Sequence, residues 1–190
     1  MRIKHIVMKV ITEIYQLALI GLTVFIILST TIQNYKVSGS SMDPRLGGGD
    51  HLLINKFTYL SVNYSQLDHI LPFWTTNSKD LWELNNPVRG EIVVFKYPLD
   101  ETQYFVKRVI GLPNETITIS GNAIYVDGYK LIEPYIGDFN NSYDHQYLMG
   151  EEEYFVLGDN RDNSNDSRHW GPVQRTQILG KVLYKYWPIN

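Results

Sequence analysis

The sequence predicts a mainly β protein: a single N-terminal transmembrane helix followed by a mostly antiparallel, barrel-like β domain. Three observations lead there. Ile14 to Ile32 is a 19-residue run without a charge. Beyond Tyr35 the chain turns into short β-branched and aromatic runs separated by turn residues. The 14 tyrosines suit pleated, half-buried surfaces.

The apolar run comes first. Gln16, Thr23 and Ser29 are tolerable in such a span. At ~1.5 Å per residue it reaches roughly 28 Å, close to the hydrocarbon thickness of a bilayer. Arg2, Lys4 and Lys9 against Glu13 leave the N-terminal end basic, and no basic residue follows the run immediately. That asymmetry places the N-terminus in the cytoplasm and the bulk of the chain outside the cell membrane. A cleaved secretory signal is the alternative, although its apolar core is shorter, at ~7–15 residues. Cleavage within Ser29-Thr30-Thr31 would still leave Ser41 in the product. The expected organisation is a cytoplasmic N-terminus and single-pass anchor over 1–33, then an extracytoplasmic domain over 34–190 with an inserted loop at about 57–88. The lipid bilayer is therefore an expected partner.

In the exterior part, His51 to Lys56, Glu91 to Tyr97, Tyr104 to Gly111, Thr116 to Ile119, Ala123 to Val126, Tyr154 to Leu157 and Ile178 to Trp187 read as strands. Ser120-Gly121-Asn122 and Asp127-Gly128 suit hairpin turns, because glycine accepts positive φ at little steric cost. Phe57 to Val88 lacks clean alternation. Its Leu71-Pro72-Phe73-Trp74 and Leu81-Trp82 aromatics fit either a membrane interface or a long loop packed on the β domain. Phe139 to Glu153 is polar and reads as a surface loop.

Composition narrows the function classes. The chain has 190 residues, no cysteine and a formal net charge of -3. Enough remains outside the anchor for one domain with a real core. The absence of cysteine removes disulfides, thiol catalysis and cysteine-ligated zinc. A mildly acidic domain without a basic stripe argues against nucleic acid as a partner.

Ser41, in Ser38-Gly39-Ser40-Ser41-Met42-Asp43-Pro44, lies a few residues beyond the apolar run. A serine hydroxyl needs a neighbouring base to become a nucleophile. His51, His69, His145 and His169 stand in no evident constellation. Pro44 occupies the third place after Ser41, so a Ser-x-x-Lys arrangement is absent. A lysine distant in sequence remains. Lys107 sits in Tyr104-Phe105-Val106-Lys107-Arg108-Val109-Ile110-Gly111, where alternation puts Phe105, Lys107 and Val109 on one face and Arg108 on the other. Burial there would depress the lysine pKa and supply a neutral amine; a lysine snorkelling at a sheet edge is the alternative. A third segment, Gly158 to Arg168, is dense in Asp and Asn. It fails as a calcium loop, because Ser164 stands at the turn-glycine position and Trp170 at the bidentate-glutamate position. Asp166 and Arg168 read instead as an ion pair that holds a loop.

Together the three segments resemble bacterial type I signal peptidases, the membrane-anchored serine-lysine proteases that remove secretory signal peptides. The matching residues are Ser41-Met42-Asp43-Pro44, then Lys107-Arg108-Val109-Ile110-Gly111-Leu112-Pro113, then Gly158-Asp159-Asn160-Arg161 with Ser164, Asp166-Ser167-Arg168 and Gly171. Order and relative placement agree as well. The resemblance implies Ser41 as nucleophile, Lys107 as general base and Ser164 as the hydroxyl that orients Lys107. It implies that Asp166 and Arg168 brace the site, with Asp159 in support. Tyr35, Val37, Met42, Leu46, Phe105 and Val106 correspond to walls of the substrate pockets. The expected substrates are signal-peptide-bearing preproteins cut after small-x-small sites, and neither a metal nor an organic cofactor is needed.

Four positions depart from the family pattern. Arg45 stands where threonine is usual. Asn114-Glu115 replaces a Gly-Asp turn, and asparagine tolerates the left-handed conformation that such a turn needs. Gly39 lies where some members carry a serine hydroxyl for the oxyanion hole, so backbone N–H groups, that of Ser41 above all, must serve unless Ser38 or Ser40 helps. Two other readings stay open: a serine-lysine peptidase dedicated to one substrate class such as a pilin or conjugation factor, and a non-catalytic assembly factor on the same scaffold.

Overall fold

The structure, a computed structural model, describes residues 2–59, 61–63, 81–83, 85–137, 139 and 144–188. Helix α1 (Arg2–Thr31) contains a 26-residue apolar stretch, Lys4–Ser29, long and apolar enough to cross a membrane, with none of it buried against the rest of the chain. It is longer than the charge-free run, since it begins with the basic residues and gives up Ile32 to the next strand. The hydroxyls of Thr12, Thr23 and Ser29 donate to carbonyls three or four residues earlier, so each polar group is satisfied within the helix.

The strands follow as β1 (Ile32–Lys36), β2 (His51–Asn55), β3 (Ser61–Asn63), β4 (Leu81–Glu83), β5 (Ile92–Tyr97), β6 (Asp100–Gly111), β7 (Thr116–Ser120), β8 (Ala123–Val126), β9 (Tyr129–Lys130), β10 (Asp144–Leu148), β11 (Glu153–Leu157), β12 (Val173–Gln174) and β13 (Ile178–Trp187). All pairings are antiparallel. A seven-stranded sheet runs in the order β1-β2-β13-β5-β6-β11-β12, a four-stranded sheet in the order β10-β7-β8-β9, and β3 pairs with β4 inside the insertion. The mostly antiparallel domain is as expected, but no barrel closes: among the described residues β1 and β12 remain edges of an open sheet.

Six strands, β1, β3, β4, β9, β10 and β12, correct the sequence reading. β1 was hidden in the approach to Ser41, and it follows α1 without a linker. β10 lies inside the stretch expected to be a surface loop, paired with β7 from Asp144↔Ser120 to Leu148↔Thr116. It is an edge strand whose side chains are mostly exposed, so it lacks the hydrophobic alternation that marks a strand. Tyr147 alone turns inward, its ring 4.7 Å from that of Phe155. The Leu71 to Trp74 aromatics lie outside the described residues.

Three apolar clusters form the core. Val93, Phe95, Val109 and Val156 centre the first, under the main sheet. Ile110, Ile117, Ile119, Ile124 and Leu157 join the two sheets. Val37, Met42, Leu46 and Leu52 fill the space behind the Ser41 segment. The turns use the residues their geometry requires: Asn114, Asp127 and Gly128 all have positive φ, at 66°, 50° and 82°.

Candidate active site

β6 carries Lys107 across the middle of the main sheet, paired with Val93 of β5. Phe105 packs against the first core cluster and Val109 lies within it, while Val106 packs toward the third. Alternation therefore delivers Lys107 inward, and it is only 4% exposed. Its Nζ lies 2.6 Å from Ser41 Oγ and 3.2 Å from the Val106 carbonyl, which accepts from it. Among the described residues it makes no ion pair. Burial is the largest influence on this ammonium and lowers its pKa to about 8; Asp166 and Asp159 push it up, and Arg168 pushes it down.

Ser41 arrives on a tight loop. Val37 N–H donates to the Asp50 carbonyl and Leu46 N–H to the Met42 carbonyl, while Asp50 accepts from the Gly47 N–H. Met42 and Leu46 were expected in the pocket wall. They are instead buried in the core cluster, bridging one another backbone to backbone, and they support the loop from behind. Apolar side chains that flank a reactive hydroxyl serve either purpose, and the sequence does not distinguish them. Gly39 has φ +104°, a conformation that glycine adopts without strain. The Ser41 N–H donates to no group among the described residues, whereas its carbonyl accepts from Asn160 N–H at 3.1 Å.

The cavity beside the dyad has a volume of about 710 Å³ and is lined by Ser41, Lys107, Tyr35, Val37, Phe105 and Val106, among others. Four of the six expected wall residues thus border it. Asn163 and Asn165 reach its rim. The Phe105 ring is fixed by a stack on Tyr97, with centroids 4.5 Å apart, and Lys107 Nζ lies 5.5 Å from the Phe105 ring centre. Among the described residues no histidine lines the cavity; His69 lies outside them.

The Gly158–Arg168 loop closes the other side. Asp166 accepts from Arg168 Nε at 2.8 Å and Nη2 at 3.0 Å, and from the Gly158 N–H at 3.0 Å. Asp159, fully buried, forms a two-pronged pair with Arg108 at 2.8 and 2.6 Å. The Ser164 hydroxyl is buried beside Gly158 and has no hydrogen-bond partner among the described residues. The bond to Lys107 expected of it is not formed in this structure; Nζ is turned to Ser41 and the Val106 carbonyl instead. Sequence reasoning missed Asn160, whose side chain donates to the Ser40 carbonyl at 3.1 Å, and it missed Arg108 as the partner of Asp159. Alternation held a clue to the second, because an arginine placed opposite Lys107 in a buried strand needs a carboxylate.

Comparison with known proteins agrees with this arrangement. The family described as "Signal peptidase, peptidase S26" matches residues 9–187. "Probable signal peptidase I-2" of Synechocystis sp. is 35% identical over 160 residues, covering 80% of this chain and 62% of that protein. The chain therefore spans less than two thirds of that relative. "Signal peptidase I" of Bacillus caldolyticus is 36% identical over 171 residues, covering 83% of this chain and 80% of the relative. "Signal peptidase IB" of Staphylococcus aureus (strain COL) is 26% identical over 200 residues, covering 96% and 92%. With a family match that runs from inside α1 to the end of β13, the chain belongs to the signal peptidase family, peptidase S26.

Proposed function

We propose that this chain is a membrane-bound serine endopeptidase that removes N-terminal signal peptides from exported preproteins. The observation that carries the reading is the 2.6 Å contact between Ser41 Oγ and the buried, carboxylate-free amine of Lys107. A lysine with a pKa near 8 is neutral often enough at working pH to act as a base.

Neutral Lys107 takes the Ser41 proton as Oγ attacks the scissile carbonyl carbon. The Ser41 N–H is uncommitted and stands ready for the oxyanion, and one such donor contributes about 3 kcal/mol to the transition state. The tetrahedral intermediate collapses, the leaving amine takes the proton from Lys107, and an acyl-enzyme remains. Water, deprotonated by Lys107 in turn, attacks the ester and frees Ser41. Ser164 is the positioning hydroxyl in this scheme, and Asp159, Asp166 and Arg168 hold the loop that presents it.

The free edge of β1 supports an extended substrate. Among the described residues β1 pairs with β2 on one side only, and Tyr35, Lys36 and Val37 line the cavity. A peptide can add backbone hydrogen bonds there while alternate side chains enter the pockets, and shallow apolar walls favour small residues. The direct passage from α1 into β1 sets the site a fixed short distance from the membrane surface. The N-terminus is cytoplasmic and the catalytic domain extracytoplasmic in this proposal.

Full-length protein in detergent, incubated with a preprotein bearing an Ala-x-Ala site beside Ser41→Ala and Lys107→Ala variants, tests the reading. Cleavage after the second alanine by wild type alone is the expected result. Binding without cleavage would favour the assembly-factor reading, and cleavage of only one among unrelated preproteins would favour the dedicated peptidase.

A further inference from the structure

Glu133 and Tyr135 belong to the segment after β9 that carries no motif, and neither lines the catalytic cavity. Both nevertheless grip the arginines on which the Gly158–Arg168 loop depends. The Glu133 carboxylate accepts from both Nη groups of Arg161, one at 3.0 Å, with the pair 5% and 2% exposed. Arg161 Nε donates to the Gly158 carbonyl at 3.0 Å, and the Arg161 carbonyl accepts from Arg168 Nη2 at 2.6 Å. Tyr135 lays its ring over the Arg108 guanidinium, 3.9 Å from Cζ to ring centre. Its hydroxyl donates to Glu133 at 2.7 Å, and burial foremost, then the Glu133 charge, raises the phenol pKa so that it stays protonated. The Leu131 N–H, bonded to the Ile124 carbonyl at 2.8 Å, ties this segment to the β8–β9 hairpin.

The two side chains thus form one unit with two grips. Arg108 spans from the strand of Lys107 to Asp159, with its remaining Nη1 donating to the Gly90 carbonyl at 2.7 Å. A ring over the guanidinium keeps water from competing for that pair. Arg161 spans from Gly158 to Glu133, so the loop is pinned at a second point. From the same loop, Asn160 holds the Ser40 and Ser41 carbonyls. A shift of the loop would move Ser164, Asp166 and the nucleophile segment together.

We infer that Glu133 and Tyr135 are positioning residues of the peptidase reaction: a strap behind the site that keeps the Gly158–Arg168 loop in register with Ser41 and Lys107. The inference rests on the peptidase reading above. Since the strap touches no substrate surface, its loss should act on kcat and spare KM.

The test is steady-state cleavage of an Ala-x-Ala preprotein by full-length protein in detergent, with Tyr135→Ala, Tyr135→Phe and Glu133→Gln. Tyr135→Ala should lower kcat about tenfold with KM within about twofold of wild type. Tyr135→Phe keeps the ring on Arg108 and should restore most of the rate. Glu133→Gln keeps the shape but removes the charge facing Arg161, and should lower kcat in the same way; it decides the question if Tyr135→Ala does not fold. Full kcat in Tyr135→Ala or in Glu133→Gln, or a Tyr135→Phe as impaired as Tyr135→Ala, would overturn the strap while wild type still cleaves. Wild type that does not cleave would instead remove the peptidase reading itself.

Discussion

Lys107 Nζ meets Ser41 Oγ at 2.6 Å across 66 positions of sequence, on an amine that has no carboxylate partner among the described residues. The arrangement keeps the lysine poor at holding its proton. Asp159 and Asp166 are near enough to act on it through space, yet each is committed to an arginine, Arg108 and Arg168. Their charges are largely cancelled locally, so burial decides the balance.

The first prediction concerns pH. Lys107 must be neutral to accept the Ser41 proton, so kcat/KM should climb with pH and level off above about 8. Initial rates from pH 6 to 10 on one preprotein would show it. A flat profile would rule out Lys107 as the base.

The second concerns the energetic cost of the same feature. The folded pKa of Lys107, about 8, lies below its unfolded value of 10.5. Between those two values the unfolded chain binds more protons than the folded one, so stability rises with pH across that window. Below it, the buried ammonium costs about 3 kcal/mol. Lys107→Met fills the same space without a charge. It should be inactive, more stable than wild type by about 3 kcal/mol at pH 7, and no more stable at pH 11. Thermal unfolding at the two pH values checks this.

Much of the site was legible because its chemistry is concentrated in short strings. Alternation put Lys107 on one face with Phe105 and Val109 but left a lysine snorkelling at a sheet edge open, and only the fold buries it; the left-handed turn at Asn114 followed from its side chain. The supports were illegible for a physical reason: they come from residues whose signal is ordinary until the chain is folded. Glu133, a single carboxylate among Leu131, Ile132, Pro134 and Tyr135, carries no motif, and only the fold buries it against Arg161. Met42 and Leu46 show the converse, apolar residues beside a reactive serine that turn away from substrate into the core. β10 and the open sheet were missed together, since an edge strand with one inward residue carries no period to read and barrel closure depends on edges that the sequence does not mark.

The third prediction separates charge pairing from catalysis. Asp159→Asn leaves the Arg108 guanidinium buried without a counter-charge, a change that costs about 3 kcal/mol. It also removes a negative charge that raises the Lys107 pKa, so the acid limb of the rate profile should move to lower pH. Arg108→Lys should destabilise similarly, because an ammonium cannot reproduce the two-pronged contact. Urea unfolding and the pH profile, read on the same preparations, test both halves. A limb that moves upward would contradict the assigned direction.

The fourth turns on Gly158. A Cβ there would collide with Ser164 Oγ, lie 2.6 Å from Ser164 Cβ, and collide with the Ser41 carbonyl. Relief by backbone movement is blocked, since the Gly158 N–H is held by Asp166 and its carbonyl by Arg161, each at 3.0 Å. Gly158→Ala should therefore destabilise the domain by about 1–3 kcal/mol, the usual cost of overpacking. The rate should suffer more than the stability, because the group displaced on one side is the carbonyl of Ser41, the proposed nucleophile; a loss of about 100-fold in kcat is expected. A double variant, Gly158→Ala with Ser164→Gly, separates the two contacts. Removing the Ser164 side chain relieves its part of the collision, so unfolding stability should partly recover and the two substitutions should be non-additive. The contact with the Ser41 carbonyl remains, so activity should not recover. Full recovery of the rate in the double variant would show that the Ser41 segment is free to shift and that the Ser164 hydroxyl does not position Lys107.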